Sequence, residues 1–500
     1  MGWMVAAAVV TSLVIIWVSL HRFRQRHSHD PKTWPLVGAQ LEAFRNFDGL
    51  HDWVLSFFSD RHRTVKMSII SGSVFFTVDP GNVEHILKTN FPNYPKGEDA
   101  HRAVYDFLGD GIFSSDGETW KKHRKVASLE FSNRKLRDFS TAAFREDALH
   151  LIEILDSAAS SQKIVDLQDL LMRMTLDSIC KVGFGVHIGS LSPELPDVPF
   201  GKAFDKVNEI VITRLFNPFW ELKKALNIGN ERFLKQEMKV VNSFTTDVIR
   251  TRRAELQGKD EGKPDLLSRF MAYDVGQPGA FDDKELRDAI LNFVIAGRDT
   301  SAITLSWFIY CVCNHPHVAE RVFEETVEVL GLQERTQTYS FEEVAERLSY
   351  ETLSKMHYLH AALTETLRLY PAVPRDGKLV ACDDVLPDGT RVKCGDRIAY
   401  VPYSMGRMEF LWGEDALTYN PDRWLRDGVF QPESPFKFAS FQAGPRVCLG
   451  RESAYLQMKM TAALLLYFFT FHIVPGHVVK YRVMLVMPMA NGLRVQVSRR

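Results

Sequence analysis

Five hundred residues would allow about three domains by length alone. Hydrophobic residues make up 45% and charged residues 25%, which excludes a disordered chain, a collagen-like fibre and a polytopic membrane protein. The 61 basic and 62 acidic residues leave a net charge of -1, so nucleic acid is not the expected partner. Six cysteines in this length cannot form a disulfide scaffold, and any that matters is expected to do chemistry or bind metal.

In chain order, residues 3–20 carry no charge and are interrupted only by Thr11, Ser12 and Ser19. As a helix this stretch would span roughly 27 Å, close to the apolar thickness of a thin membrane. Arg22, Arg24 and Arg26 follow at once, flanked by His21 and His27. No Lys or Arg precedes the apolar run, so the positive-inside bias places the remainder in the cytosol. The absence of a basic leader and of a small-residue cleavage pattern argues against a cleaved signal peptide. The expected plan is a membrane anchor over 1–21, a basic, proline-containing linker over 22–44, stiff and extended around residues 30–38, and a catalytic domain over 45–500.

Residues 64–70 and 73–78 alternate apolar and polar about Ser71-Gly72 and predict a hairpin. Helical patterns then dominate to about residue 370, and Phe216 to Trp220 forms an apolar aromatic cluster that could dip into a membrane. Residues 257–264 read as an exposed loop. Residues 284–314 predict one helix of roughly 45 Å, ended by His315-Pro316. A strand-like pattern occupies 381–400 around a Pro387-Asp388-Gly389 turn, a helix 455–471, and late strands 482–487 and 492–497. No internal repeat and no strong linker follows residue 40. The fold class is mainly α with a smaller β region, in a single large domain behind an N-terminal transmembrane helix.

The chemistry centres on Phe441-Gln442-Ala443-Gly444-Pro445-Arg446-Val447-Cys448-Leu449-Gly450. A thiol at a helix N-terminus faces free N–H groups and is expected to have a lowered pKa. Gly444 and Gly450 allow close backbone approach to something flat, and Arg446 could meet an anionic group beside it. With no second cysteine or histidine at ligand spacing, Cys448 is a poor zinc site and suits a single axial ligand to haem iron. A lone cysteine in a glycine turn would instead read as structural.

Other motifs carry weaker signals. In Ala296-Gly297-Arg298-Asp299-Thr300-Ser301 a mid-helix glycine costs about 1 kcal/mol against Ala, and Thr300 can bond back to the Ala296 carbonyl and loosen the helix. Glu365 and Arg368 share a helix face, as do Trp120 and Arg124, a pair that alone would suit a basic amphipathic helix. Cys311 and Cys313 do not share a helix face and read as core, while Cys180, Cys382 and Cys394 have no motif context.

The ten residues ending at Gly450 match the signature Phe-x-x-Gly-x-Arg-x-Cys-x-Gly of the cytochrome P-450 superfamily at every fixed position, and the resemblance covers the chain after residue 30. It implies haem b with Cys448 as the axial thiolate, and Asp299 and Thr300, with water, as proton donors in oxygen activation. It implies haem propionate partners Trp120, Arg124, Lys378 and Arg446. It also implies a structural triad of Glu365, Arg368 and Arg423, the last from Pro421-Asp422-Arg423-Trp424. By family position Phe107, Ile112, Phe113, Phe293, Val373, Arg375 and Met487 would line the substrate channel.

The region 370–454 looks most like the plant long-chain fatty-acid omega-hydroxylases, in the branch that serves pollen and spore walls. The stretches that carry this are Leu386-Pro387-Asp388-Gly389-Thr390, Tyr403-Ser404-Met405-Gly406-Arg407-Met408, Trp412-Gly413-Glu414-Asp415 and Phe430-Gln431-Pro432-Glu433-Ser434-Pro435-Phe436-Lys437-Phe438. Asn93-Tyr94-Pro95-Lys96-Gly97 and Leu108-Gly109-Asp110-Gly111-Ile112-Phe113 agree. Arg375 departs from the pattern, where smaller or acidic residues are usual. The implied setting is the endoplasmic reticulum membrane, a fatty-acid substrate, and electrons from an NADPH-cytochrome reductase docking on the thiolate side, where Lys121 and Lys122 are candidate contacts. Hydroxylation of jasmonate-type or other oxygenated lipids, a reductase-independent hydroperoxide isomerase, and a non-enzymatic haem sensor remain open alternatives.

Overall fold

The computed structural model describes residues 2–26, 29–70, 72–131, 134–257, 265–273, 280–333 and 339–500. Helices make up most of it, and the expected exposed loop, apart from Gln257, lies outside the described residues. The N-terminal helix, Gly2–Arg24, has no buried residue and a mean hydropathy of 2.3 over its most apolar window. Its length and composition suffice to cross a membrane.

The segment after it is not an extended spacer. Trp34 and Gly38 exchange N–H···O=C bonds of 2.7 and 2.9 Å, and the Ala39 amide donates to Ser68 at 2.7 Å. Gly38 sits at φ +59° with a Cβ position only 2.2 Å from the Ser68 carbonyl oxygen, so glycine alone allows this turn to close on the sheet. Ala39 and Ala43 are fully buried. The packed core therefore reaches back into the stretch expected to be linker.

The larger sheet orders Thr64–Ile69, Gly72–Thr77, Arg397–Tyr400 and Asp376–Leu379, with the middle pair parallel (Val74 opposite Arg397) and the outer pairs antiparallel. The hairpin expected at 64–78 is its first half. A smaller sheet joins Phe469–Ile473, Arg494–Arg499 and Val165–Asp166.

Two boundaries differ from expectation. The C-terminal helix runs Arg451–Phe468 and stops where Phe469 turns extended (φ −132°, ψ 154°), because the aromatic and β-branched residues of Phe469–Ile473 pair with the last strand. Residues 482–487 form no strand. Tyr481 and Met489 bridge across them, and the intervening apolar run turns over as a loop whose Met484, Leu485 and Val486 face a cavity.

The long helix at 284–314 is present, with one internal change. Asp282 caps it through a reciprocal pair with Glu285. It runs Asp283–Val294, widens into a π turn at Ile295–Asp299 and continues as Thr300–Asn314. Most of its side chains are buried, those of Thr300–Asn314 against Leu167–Phe184, His357–Leu369 and Arg451–Phe468. It divides the core and exposes one widened turn to the space below.

Candidate active site

The π turn is where the sequence departs from helix-forming chemistry. Thr300 Oγ1 donates to the Ala296 carbonyl at 2.6 Å, the back-bond that loosens a helix. Gly297 faces the Leu167–Phe184 helix, where a Cβ would lie 2.6 Å from Ile179 Cδ1. The helix thus lies closely on its neighbour while Ala296, Gly297 and Thr300 line a cavity of about 520 Å³.

Cys448 lines the same cavity. Its loop is held by the Cys448 amide donating to the Phe441 carbonyl at 2.8 Å, and by Ser440 Oγ donating to Leu367 at 3.1 Å. Gly444 sits at φ +64° with a Cβ position 1.9 Å from the Leu87 carbonyl oxygen, so no side chain fits there. The thiol is not acidified as the helix terminus suggested. The sulfur is exposed to the cavity, but the protein enclosing that cavity raises its pKa by desolvation and outweighs the opposing pull of the Gly450 and Arg451 amides and of Arg124 and Arg451. An iron bound to the sulfur would hold it as thiolate directly.

One rim of the cavity is cationic. Arg124 is half-buried and donates to the Val447 carbonyl at 2.6 Å, which ties it to the cysteine loop. Arg446 lies over the Trp120 ring at 4.6 Å and pairs with Asp116 at 2.6 Å, while its Nε is buried with no partner among the described residues. Lys96 lines the rim and pairs with Asp376. Lys378, the expected partner here, is buried behind, 2.9 Å from Asp376, and faces a second cavity. Sequence reasoning missed Lys96, although the stretch Asn93-Tyr94-Pro95-Lys96-Gly97 had stood out on other grounds. Arg124, Arg446 and Lys96 outnumber Asp116 and Asp376 and leave this rim net positive, while burial lowers the Lys378 pKa to about 7.

These residues fit a haem. Among the described residues no group of three or more His, Cys, Asp or Glu could hold a metal. A metal at Cys448 would have one protein ligand, and its remaining ligands would come from a flat organic group lying between the cysteine loop and Ala296–Thr300. The unpartnered Arg446 Nε and the cationic rim suit the carboxylates of such a group.

The chain belongs to the cytochrome P450 family. The family's model matches residues 29–491. Cytochrome P450 704B1 of Arabidopsis thaliana is 52% identical, over 98% of this chain and 99% of its own length. Cytochrome P450 704C1 of Pinus taeda is 48% identical over 93% and 92%, and cytochrome P450 86B1 of Arabidopsis thaliana 40% over 97% and 89%. This P450 is accordingly a haem-thiolate monooxygenase, and its N-terminal helix is long and apolar enough to cross a membrane.

The remaining expected residues divide. Glu365 is fully buried and accepts from Arg368 Nε and Nη2 at 2.7 Å, from Arg423 Nε at 2.9 Å and from Trp424 Nε1 at 2.9 Å. Trp424 is a member that charge patterning alone could not reveal. Asp299 lines neither cavity. It pairs with Arg298 at 2.9 Å and faces Asn208 at 3.4 Å, tying the central helix to Pro199–Arg214, and burial raises its pKa. Ile112 and Phe293 line the inner cavity, Arg375 the outer, and Phe113 and Val373 both. Phe107 and Met487 line neither. Phe107 packs on Phe204 at 4.8 Å, and Met487 is fixed by bonds to Ala372 and Trp307, so both are core. Lys121 is exposed beside Glu118, whereas Lys122 is bound to Glu285 and lies over Phe281.

The outer cavity, about 530 Å³, adjoins the inner one along Phe113, Ala296, Thr300 and Val373. Its far walls are Met67, Phe76, Phe216, Trp220 and the 484–486 loop.

Proposed function

We propose that this P450 hydroxylates long-chain fatty acids at or near the omega carbon, on the cytosolic face of the endoplasmic reticulum, with electrons from NADPH through a separate reductase. The observation that carries this reading is the mostly apolar outer cavity of about 530 Å³ meeting the cysteine cavity at Thr300 and Val373. An alkyl chain there presents one end, and not its middle, to the reacting centre. The likeness of residues 370–454 to plant omega-hydroxylases supports the same class.

Bound haem supplies the oxygen activation and hydrogen abstraction. Cys448 would hold it through its sulfur, and Trp120, Arg124, Arg446 and Lys96 would hold its carboxylates. Thr300 is the cavity-facing hydroxyl that holds a water or proton donor opposite the cysteine. Asp299 sets the π turn through Arg298 and Asn208, so its part in proton delivery runs through the placement of Thr300. Ile112, Phe113 and Phe293 keep bulk water from the reacting end.

Exposed Phe219, Leu222 and Leu226 lie beside the Phe216–Trp220 wall of the outer cavity, which suits substrate arriving from a bilayer. Exposed Lys121 and Arg451 on the cysteine side are available to an acidic reductase surface.

The test is product analysis by mass spectrometry. Membranes holding the protein and a plant reductase are incubated with NADPH and mixed medium- and long-chain fatty acids. Terminal or near-terminal hydroxy acids are the expected products. A normal thiolate-haem spectrum with no fatty-acid product would redirect the search to oxygenated lipids, and turnover without NADPH would favour the isomerase.

A further inference from the structure

Arg375 makes no hydrogen bond and no ion pair among the described residues. Its guanidinium lies 4.8 Å from the Phe216 ring centroid and lines the outer cavity. The side chain is half-buried, open only toward the cavity, and desolvation lowers its pKa, to about 10. The acid next to it in sequence, Asp376, is already held by Lys96, Lys378 and the Tyr400 hydroxyl. His51, which feels the Arg375 charge, is buried with its pKa lowered to about 3 by burial, Arg375 and Arg407, and so is neutral. A guanidinium kept charged here lacks the compensation that buried charges normally receive. The open side is the cavity, and the group that would compensate the charge best from there is an anion.

We propose that Arg375 is the binding site for the carboxylate of an acyl-chain substrate, holding it in the outer cavity while the alkyl chain runs past Val373 toward Thr300. This rests on the acyl-chain reading above and adds to it that the substrate is the free acid and not an ester or a neutral lipid. A bidentate Arg–carboxylate pair fixes both position and direction. The carbon attacked is then set by the distance from Arg375 to the reacting centre as much as by the end of the chain.

The test uses the full-length haem protein in lipid nanodiscs. Dissociation constants are measured for hexadecanoic acid and for its methyl ester, together with the positional distribution of hydroxylated product. Wild type is expected to bind the acid more tightly than the ester. Arg375→Gln should weaken the acid by about ten- to a hundredfold, the worth of one charge-assisted pair, and the ester by less than about twofold. Arg375→Lys should recover part of the acid affinity, and Arg375→Gln should spread hydroxylation over more carbons. Arg375 holds no other group by a hydrogen bond or ion pair among the described residues, so an unchanged thiolate-haem spectrum and a melting temperature that does not fall in Arg375→Gln are the expected controls. Equal weakening of acid and ester, or acid affinity unchanged in Arg375→Gln, would overturn the anchor while leaving the fatty-acid reading in place. A wild type that binds neither compound would overturn both.

Discussion

At the scale of single residues, burial repeatedly outweighs the local electrostatics that a sequence displays. Cys448 has the helix terminus it needs, yet desolvation raises its thiol, and Asp299 sits beside an arginine and is still raised. Asp147 is the clearest case. It is 4% exposed, accepts from Ser178 Oγ at 2.6 Å and has a pKa raised to about 7, chiefly by burial, with Asp177 and Glu146 adding to the shift and Lys181 opposing it. The folded state therefore prefers the neutral acid. That stability is present below the unfolded carboxyl pKa near 4 and is lost as pH rises toward 7. Relative to wild type, Asp147→Asn should gain about 4 kcal/mol in stability between pH 4 and pH 8, measured by urea unfolding across pH. A constant difference over that range would show that Asp147 is charged in the fold. Residue placement was legible where a motif is short in sequence. The Cys448 loop and the Thr300 back-bond needed only neighbours within ten positions. Lys96 was not legible, because its place at the cavity depends on where Pro95–Gly97 meets Asp116 and Asp376. Phe107 and Met487 were misplaced because apolarity at a family position cannot distinguish a wall from the core one residue behind it.

At the scale of elements, the joints between helices carry more than the helices do. Glu365 on His357–Leu369 gathers Arg368, Arg423, Trp424 and the Asn420 amide, while Arg368 also reaches the carbonyls of Ala416 at 2.6 Å and Thr418 at 3.0 Å. One carboxylate thus fixes the irregular 406–424 segment onto the helix that also accepts Ser440 from the cysteine loop. Glu365→Gln keeps the volume and strips the charge, leaving Arg368 buried and uncompensated, which costs about 3–5 kcal/mol. The urea midpoint should fall accordingly, and the fraction carrying a thiolate-haem band should fall with it. Arg423→Lys keeps a cation at a more exposed position and should cost far less. Equal losses in the two variants would mean that the segment is held by packing alone. The Glu-Arg pair itself was readable from its spacing. Its partners were not, since Trp424 reads as an ordinary core aromatic. The strand at Phe469–Ile473 was absorbed into a predicted helix for a similar reason: an apolar run fits either period, and only pairing with Arg494–Arg499 decides it.

At the scale of the whole molecule, the anchor and the globular body meet through few contacts, and those contacts lie beyond the apolar run. His21 faces Thr33 at 3.0 Å and Arg22 pairs with Glu42 at 3.1 Å, whereas nothing in Gly2–Arg24 is buried. Deleting residues 2–20 removes only the exposed span, so the melting temperature should stay within about 2 °C and haem content should be unchanged. Membrane binding should fall without vanishing. Phe219, Leu222, Leu226 and Phe233 are 61, 58, 58 and 53% exposed around one corner of the body. Burying even half of each in lipid contributes several kcal/mol at roughly 25 cal/mol per Å². Exposed Lys223 adds attraction to anionic headgroups. The truncated protein should therefore still co-sediment with vesicles containing anionic lipid. Phe219→Glu with Leu222→Glu in that background should release it, and the same pair in the full-length chain should leave it bound through the anchor. Vesicle binding by the truncated protein that survives both substitutions would place the second membrane contact elsewhere. Loss of all binding on truncation alone would mean that the anchor is the sole contact, and that the outer cavity takes its substrate from solution.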